Sequence, residues 1–224
     1  MSTMNITNEI IAAFIDDLYY NENEQLQELR DFAETNHVPI ILKDTEGLLA
    51  TIMKLKRPEQ VLEIGTAIGY SASFFVDCCG CSVTTIESDP DAYESAVNNI
   101  EAMGFADKIT LLEGDAVDVL KQLQTKETGC FDIVFIDAAK SHYREFWDLS
   151  LPLCKEDALI ICDNVLMKGM TASDSFDTRG RYKTSIRRMR EFIAYINGLD
   201  YADTIVLPVG DGVSMSMIHK DEQN

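Results

Sequence analysis

The chain has 224 residues, 46% of them apolar, and a formal net charge of −19. That is enough for one substantial core, while the acidic balance excludes a general polyanion binder, since such a chain repels nucleic acid on average. No run of about 18 apolar residues occurs, so no membrane-spanning helix is expected, and residues 1–8 lack the basic n-region of a secretory signal. A cytoplasmic location follows as an expectation, with the six cysteines as reduced thiols. Cys78 and Cys81 have C-x-x-C spacing, but no second pair completes a zinc site.

In chain order, the first part reads as helical. Ile10, Ala13, Phe14 and Leu18 recur at helical spacing, as do Leu26, Leu29, Phe32 and Ala33. Residues 37–43, with Pro39, read as a loop. Asp44 is expected to cap a third helix carrying Leu48, Leu49, Ile52 and Leu55 on its apolar face. The pattern then changes. Short apolar runs at 61–64, 83–86, 109–112, 133–136 and 159–162 alternate with helical stretches such as 91–103 and 116–124. That alternation predicts a parallel sheet with helices on both faces. The last two runs, 204–207 and 213–218, flank the turn Gly210-Asp211-Gly212, and so short a connection predicts an antiparallel hairpin at the sheet's edge. The expectation is a single domain over 1–224, with a helical extension (1–57) on an α/β core (58–224).

The first run leads into Glu63-Ile64-Gly65-Thr66-Ala67-Ile68-Gly69-Tyr70-Ser71, a glycine loop at the strand end where open parallel sheets bind ligands. It is not the G-x-G-x-x-G dinucleotide fingerprint, because Ala67 stands at the second glycine position. The second run ends in Glu87, about 20 residues on, where a carboxylate can accept from both ribose hydroxyls. The third ends in Gly114-Asp115-Ala116, where an Asp could meet an adenine amino group. Two later strand ends carry hard oxygen donors, Asp137 and the pair Asp163-Asn164. Two carboxylates and an amide suit Mg2+ or another divalent cation; alternatively, Asp137 and Asp163 only cap the turns that follow. Lys140 lies three residues past Asp137 and reads either as a solvated lysine or as a general base. His142 is a lesser candidate for that base. Tyr143 and Trp147 read as packing residues. Met167 and Met170 read as substrate contacts or as loop packing.

Taken together, Glu63-Ile64-Gly65-Thr66, Glu87, Gly114-Asp115-Ala116 and Phe135-Ile136-Asp137-Ala138-Ala139-Lys140 resemble the class I S-adenosylmethionine (SAM) methyltransferases, and within them the metal-dependent, catechol-type O-methyltransferases. The resemblance runs from about residue 36 to residue 218. It implies a Rossmann-like, seven-stranded, mostly parallel sheet with an antiparallel last strand. It implies that Ile41 and Ser71 line the methionine part of the cofactor, with Glu63, Gly65, Tyr70 and Asp137 in the same cofactor set. Glu87 would hold the ribose, and Asp115 with Ala116 the adenine. Asp137, Asp163 and Asn164 would hold the metal, and Lys140 would be the catalytic lysine.

The substrate is less defined. A metal that takes two oxygens suits a catechol, or a 5-hydroxyuridine with O5 beside O4. Arg179, Arg181, Lys183, Arg187, Arg188 and Arg190, six of the 19 basic residues, crowd into one stretch. If 184–195 is a helix, Lys183, Arg187 and Arg190 share a face that could hold phosphates; the same cluster could equally be a solvated face. His37-Val38-Pro39-Ile40, Ala96-Val97-Asn98-Asn99-Ile100, Asp163-Asn164-Val165-Leu166-Met167-Lys168-Gly169 and Pro208-Val209-Gly210-Asp211-Gly212 resemble the bacterial tRNA 5-hydroxyuridine methyltransferases. That implies methylation of wobble hydroxyuridine in tRNA to 5-methoxyuridine, and a homodimer. The alternative is a small-molecule catechol or hydroxycinnamoyl-type O-methyltransferase. A nicotinamide oxidoreductase is disfavoured by Ala67, and a non-catalytic binding module would not need Asp137, Lys140, Asp163 and Asn164 together.

Overall fold

In the computed structural model, residues 9–19, 21–126 and 128–219 are described. Seven strands form one sheet: β1 (Gln60–Ile64), β2 (Ser82–Glu87), β3 (Ile109–Glu113), β4 (Phe131–Ile136), β5 (Cys154–Cys162), β6 (Ala202–Leu207) and β7 (Val213–Ile218). Their order is β3-β2-β1-β4-β5-β7-β6. The first five are mutually parallel, and β7 runs antiparallel to both β5 and β6. The expected hairpin is present, but its antiparallel member is not at the edge. The second strand of the hairpin inserts beside β5 and leaves β6 outermost.

The central strands are apolar on both sides because helices cover both faces. One face buries Leu120, Trp147, Phe192 and Ile196 under α6 (Ala116–Gln124), α7 (Tyr143–Ser150) and α8 (Lys183–Asn197). The other buries Leu26, Leu49, Phe74 and Ile100 under α2 (Glu24–Asn36), α3 (Lys43–Lys56), α4 (Tyr70–Cys79) and α5 (Pro90–Ala102). Helix α1 (Glu9–Leu18) leaves Ile11, Phe14 and Leu18 exposed. Among the described residues, no helix is long and apolar enough to cross a membrane.

Side-chain caps start several helices: Asn23 accepts from the first amides of α2, Asp89 from those of α5 and Asp115 from those of α6. Asp44 does not cap α3. The helix begins one residue earlier, after Leu42, and the Asp44 carboxylate instead accepts the Gly210 amide at 2.8 Å, tying α3 to the β6–β7 turn.

Register positions the site. Ile64 pairs with Ile86 on one side and Ile136 on the other, and Ile136 pairs with Cys162. The residues that follow, Gly65, Glu87, Asp137 and Asp163, therefore emerge side by side at the carboxyl edge of the sheet.

Candidate active site

Hydrogen bonds continue across the sheet just past the strand ends. Gly65 N donates to Ile86 O, Asp137 N to Ile64 O and Asp163 N to Ile136 O, each at 3.0 Å. Gly65 has φ 91°, and a methyl group there would collide with the carbonyl of Asp137, so the close approach of the two loops requires glycine. Ala67 is also left-handed, at φ 49°, and its amide donates to Glu87 Oε2 at 2.8 Å. The other oxygen of Glu87 accepts from the amides of Ser88 and Asp89. Glu87 thus braces the glycine loop against the end of β2.

A cavity of about 430 Å³ opens along this edge. Glu87, Asp115 and Ala116 line one end; Asp115 Oδ1 is taken by the α6 cap, accepting from Val117 N at 2.9 Å. Pro39, Ile41, Gly65, Tyr70 and Ser71 line the other end, and Asp137, Lys140, His142, Phe146 and Asn164 the floor. One expected cofactor residue does not reach it. Glu63 is wholly buried behind the loop, where the hydroxyls of Thr66 (2.6 Å) and Thr85 donate to Oε2. Burial pushes its carboxyl up to about 7, against the pull of those hydroxyl bonds. It holds the loop rather than facing the cavity.

At the floor, the Lys140 ammonium donates to Asn164 Oδ1 at 2.7 Å and to Asp137 Oδ1 at 3.3 Å. Asp163 lies just beneath, 1% exposed. Its Oδ1 accepts from Asn164 N at 2.7 Å, while Oδ2 is buried with no hydrogen-bond partner among the described residues. Burial and then the neighbouring charge of Asp137 raise the Asp163 carboxyl well above the usual range. Asn164 is left-handed at φ 57°, a conformation asparagine tolerates. The loop is held from both sides: Tyr143 Oη donates to Asp163 O at 2.8 Å, and Val165 N and Leu166 N donate to the carbonyls of Gly212 and Asp211.

No group of three or more His, Cys, Asp or Glu side chains suited to a metal occurs among the described residues. The donor set here is instead two carboxylates and an amide. A buried carboxylate oxygen without a hydrogen-bond partner stands beside a second carboxylate, and these hard oxygen donors fit a divalent cation such as Mg2+.

The basic stretch does not line this cavity. Arg190 donates to the carbonyls of Thr171 and Met170 and pairs with Asp174 at 2.8 Å. Arg188 donates to Ser141 O, and Arg187 pairs with Glu191 at 3.5 Å. Lys183, Arg187 and Arg190 do share a face of α8, around a hollow that Asp174 and Asp177 also line. Arg179 and Arg181 are exposed in the loop before it. Tyr143 and Trp147 pack in the core as expected, and Met167 is buried beside them.

Sequence patterning does not single out Arg30, Glu46 and Thr85, all buried close behind the cavity. The available signal for Arg30 was a charge set among Leu26, Leu29 and Ala33 on one helical face.

The sequence model of a family described as O-methyltransferase matches residues 17–219. The chain belongs to that O-methyltransferase family. As a member it is a SAM-dependent methyltransferase. The catechol O-methyltransferase of Niastella koreensis is 28% identical over 219 residues, covering 94% of this O-methyltransferase and 97% of that protein. Caffeoyl-CoA O-methyltransferase 1 of Zea mays is 32% identical over 208 residues, covering 88% and 80%. Among solved structures, a candidate caffeoyl-CoA O-methyltransferase from Staphylococcus aureus superposes with a TM-score of 0.86 at 29% identity, covering 94% of this chain and 100% of that one. The SAH-bound Podospora anserina methyltransferase shares the fold, with a TM-score of 0.85 at 23% identity over 96% and 97% of the two chains.

Proposed function

We propose that this O-methyltransferase uses a divalent cation to methylate one of two vicinal hydroxyls on a small phenol of the catechol class. The observation that carries the reading is the donor set of Asp137 and Asn164 at the cavity floor and the buried Asp163 beside them, with Lys140 Nζ hydrogen-bonded to the first two. The relatives named for catechol and caffeoyl-CoA favour a small phenolic acceptor.

In this reading Glu87 holds the ribose, Asp115 and Ala116 flank the adenine, and Gly65, Ile41, Tyr70 and Ser71 enclose the methionine part of SAM. Asp137, Asp163 and Asn164 would hold the cation, which when bound supplies the charge that acidifies a phenolic hydroxyl. Lys140 Nζ, as the neutral amine, would accept the hydroxyl proton. Tyr143 and the β6–β7 turn keep the Asp163-Asn164 loop in place while this happens. Confining donor and acceptor in one cavity removes much of the entropic cost of their encounter.

The tRNA reading rests on the basic stretch 179–190. Two of its members, Arg188 and Arg190, are engaged with backbone carbonyls, which leaves Arg179, Arg181, Lys183 and Arg187 as exposed cations. A homodimer and a cytoplasmic location complete the proposal. The exposed apolar residues of α1 support the first.

The test is transfer of labelled methyl from SAM to a catechol and, in parallel, to hydroxyuridine-containing tRNA, with magnesium or with a chelator. Magnesium-dependent labelling of the catechol alone is the expected result. Labelling of tRNA alone would move the function to RNA modification, and full activity in chelator would remove the cation.

A further inference from the structure

We infer that Arg30 is a positioning residue for the cofactor, fixing from inside α2 the wall formed by Tyr70 and Ile41. The inference rests on the assignment of that end of the cavity to the methionine part of SAM.

Arg30 is buried, with its side chain 2% exposed, on the apolar face of α2. Its Nε donates to Tyr70 Oη at 3.0 Å, and Nη2 donates to the Ile41 carbonyl at 2.9 Å and to Glu46. The guanidinium carbon lies 4.8 Å from the centre of the Tyr70 ring. Glu46, wholly buried on α3, also accepts from Tyr70 Oη at 2.8 Å, from Tyr19 Oη and from Asn21 Nδ2 at 3.2 Å. Burial works against the Arg30 charge, and Glu46 and Tyr70 more than offset it, so the guanidinium stays cationic.

A buried ion pair is a poor way to fill a core, because apolar residues of the same volume do so without desolvating two charges. What the pair supplies here is direction. Tyr70 Oη both accepts from Arg30 and donates to Glu46, which sets its ring orientation at the first residue of α4, directly after the glycine loop. The Ile41 carbonyl is held by the same guanidinium, which fixes the segment 38–42 where it meets the cavity. A lysine, with a point charge in place of a planar fork, cannot serve Tyr70, Ile41 and Glu46 at once. Helices α2 and α3 thereby belong to the cofactor site although neither their Arg nor their Glu touches the cavity.

The experiment compares Arg30→Lys, Tyr70→Phe and the double variant Arg30→Met with Glu46→Gln against the wild type. Calorimetric affinity for SAH, melting temperature, KM for SAM and kcat with a catechol are read for each. The expected result is SAH affinity and KM for SAM worse by about tenfold, the effect of losing one or two directed hydrogen bonds. At saturating SAM, kcat should hold in Arg30→Lys and in the double variant. The double variant removes both charges together and should melt no lower than the wild type, yet still bind SAH weakly. Folded variants with wild-type SAH affinity, or with lowered kcat and unchanged KM for SAM, would overturn the inference. If Arg30→Lys does not fold, the double variant decides. A wild type that binds SAH but leaves catechol unmethylated sinks the substrate reading alone, because the SAH affinities still decide Arg30. A wild type that does not bind SAH overturns the cofactor assignment and this inference with it.

Discussion

The Lys140 ammonium sits 2.7 Å from Asn164 Oδ1 and 3.3 Å from Asp137 Oδ1, so one lysine bridges two strand ends at the cavity floor. An amine so placed competes with a cation for the same oxygens and is also the nearest amine to a hydroxyl bound there. Lys140→Met should lower methyl transfer by about a hundredfold or more, in the range of general acid–base catalysis. Magnesium affinity, read by calorimetry, should hold or improve. A variant that keeps most of its turnover would take Lys140 out of the chemistry.

Asp163→Asn replaces a buried, unpaired carboxylate with a neutral side chain of the same shape. In metal-free buffer its melting temperature should equal or exceed that of the wild type, because the cost of burying a carboxyl there, as a charge or as a retained proton, has been removed. The rise in melting temperature that magnesium gives the wild type should vanish, along with turnover. If the variant is still stabilised by magnesium, the cation is held elsewhere.

Glu63 makes stability depend on pH. Its carboxyl titrates near 4.5 in the unfolded chain and at about 7 in the fold. Between those values the folded chain keeps a proton that the unfolded chain has lost, so stability falls as pH rises through that window. The stabilising contribution is complete below pH 4.5 and gone above about 7. Glu63→Gln should melt at a temperature that changes less with pH than the wild type across this window. Parallel melting curves for the two proteins would assign the pH dependence to another group.

Charge reversal of Arg179, Arg181 and Arg187 separates the two substrate readings. All three are exposed and none lines the main cavity, so methylation of a catechol should be unchanged. Binding of tRNA, if it occurs, should weaken and lose part of its salt dependence. A fall in catechol turnover would place these arginines on the path of the small substrate.

The strand ends were legible because each joins a short apolar run to a polar residue, a pattern fixed by the sheet itself. That is why Gly65, Glu87, Asp137 and Asn164 meet as the spacing suggested. The burial of Glu63 could not be read, because alternation puts it on a strand end without revealing which side of the loop it faces, and Thr85, its partner, lies 22 residues away. Asp44 looked like a cap because Asp before an apolar helical run usually is one; its amide partner, Gly210, is 166 residues distant. Arg30 and Glu46 were invisible for the same reason. A buried ion pair is a property of packing, and no periodicity announces it. The partners of the basic stretch were also out of reach, since charge counting cannot show that Arg188 and Arg190 are engaged with backbone carbonyls.

The strand order has a consequence for how the protein is made. Because β7 fills the gap between β5 and β6, the last of the seven strands to leave the ribosome is needed to finish the interior of the sheet. Until residues 213–218 arrive, β5 presents a bare row of backbone donors and acceptors, the sort of edge that invites pairing with another chain. The turn that steadies residues 165 and 166 joins β6 to β7 and cannot close until then. A nascent chain therefore carries the glycine loop, Glu87, Asp137 and Asp163 before it has the segment that holds the Asp163-Asn164 loop in place.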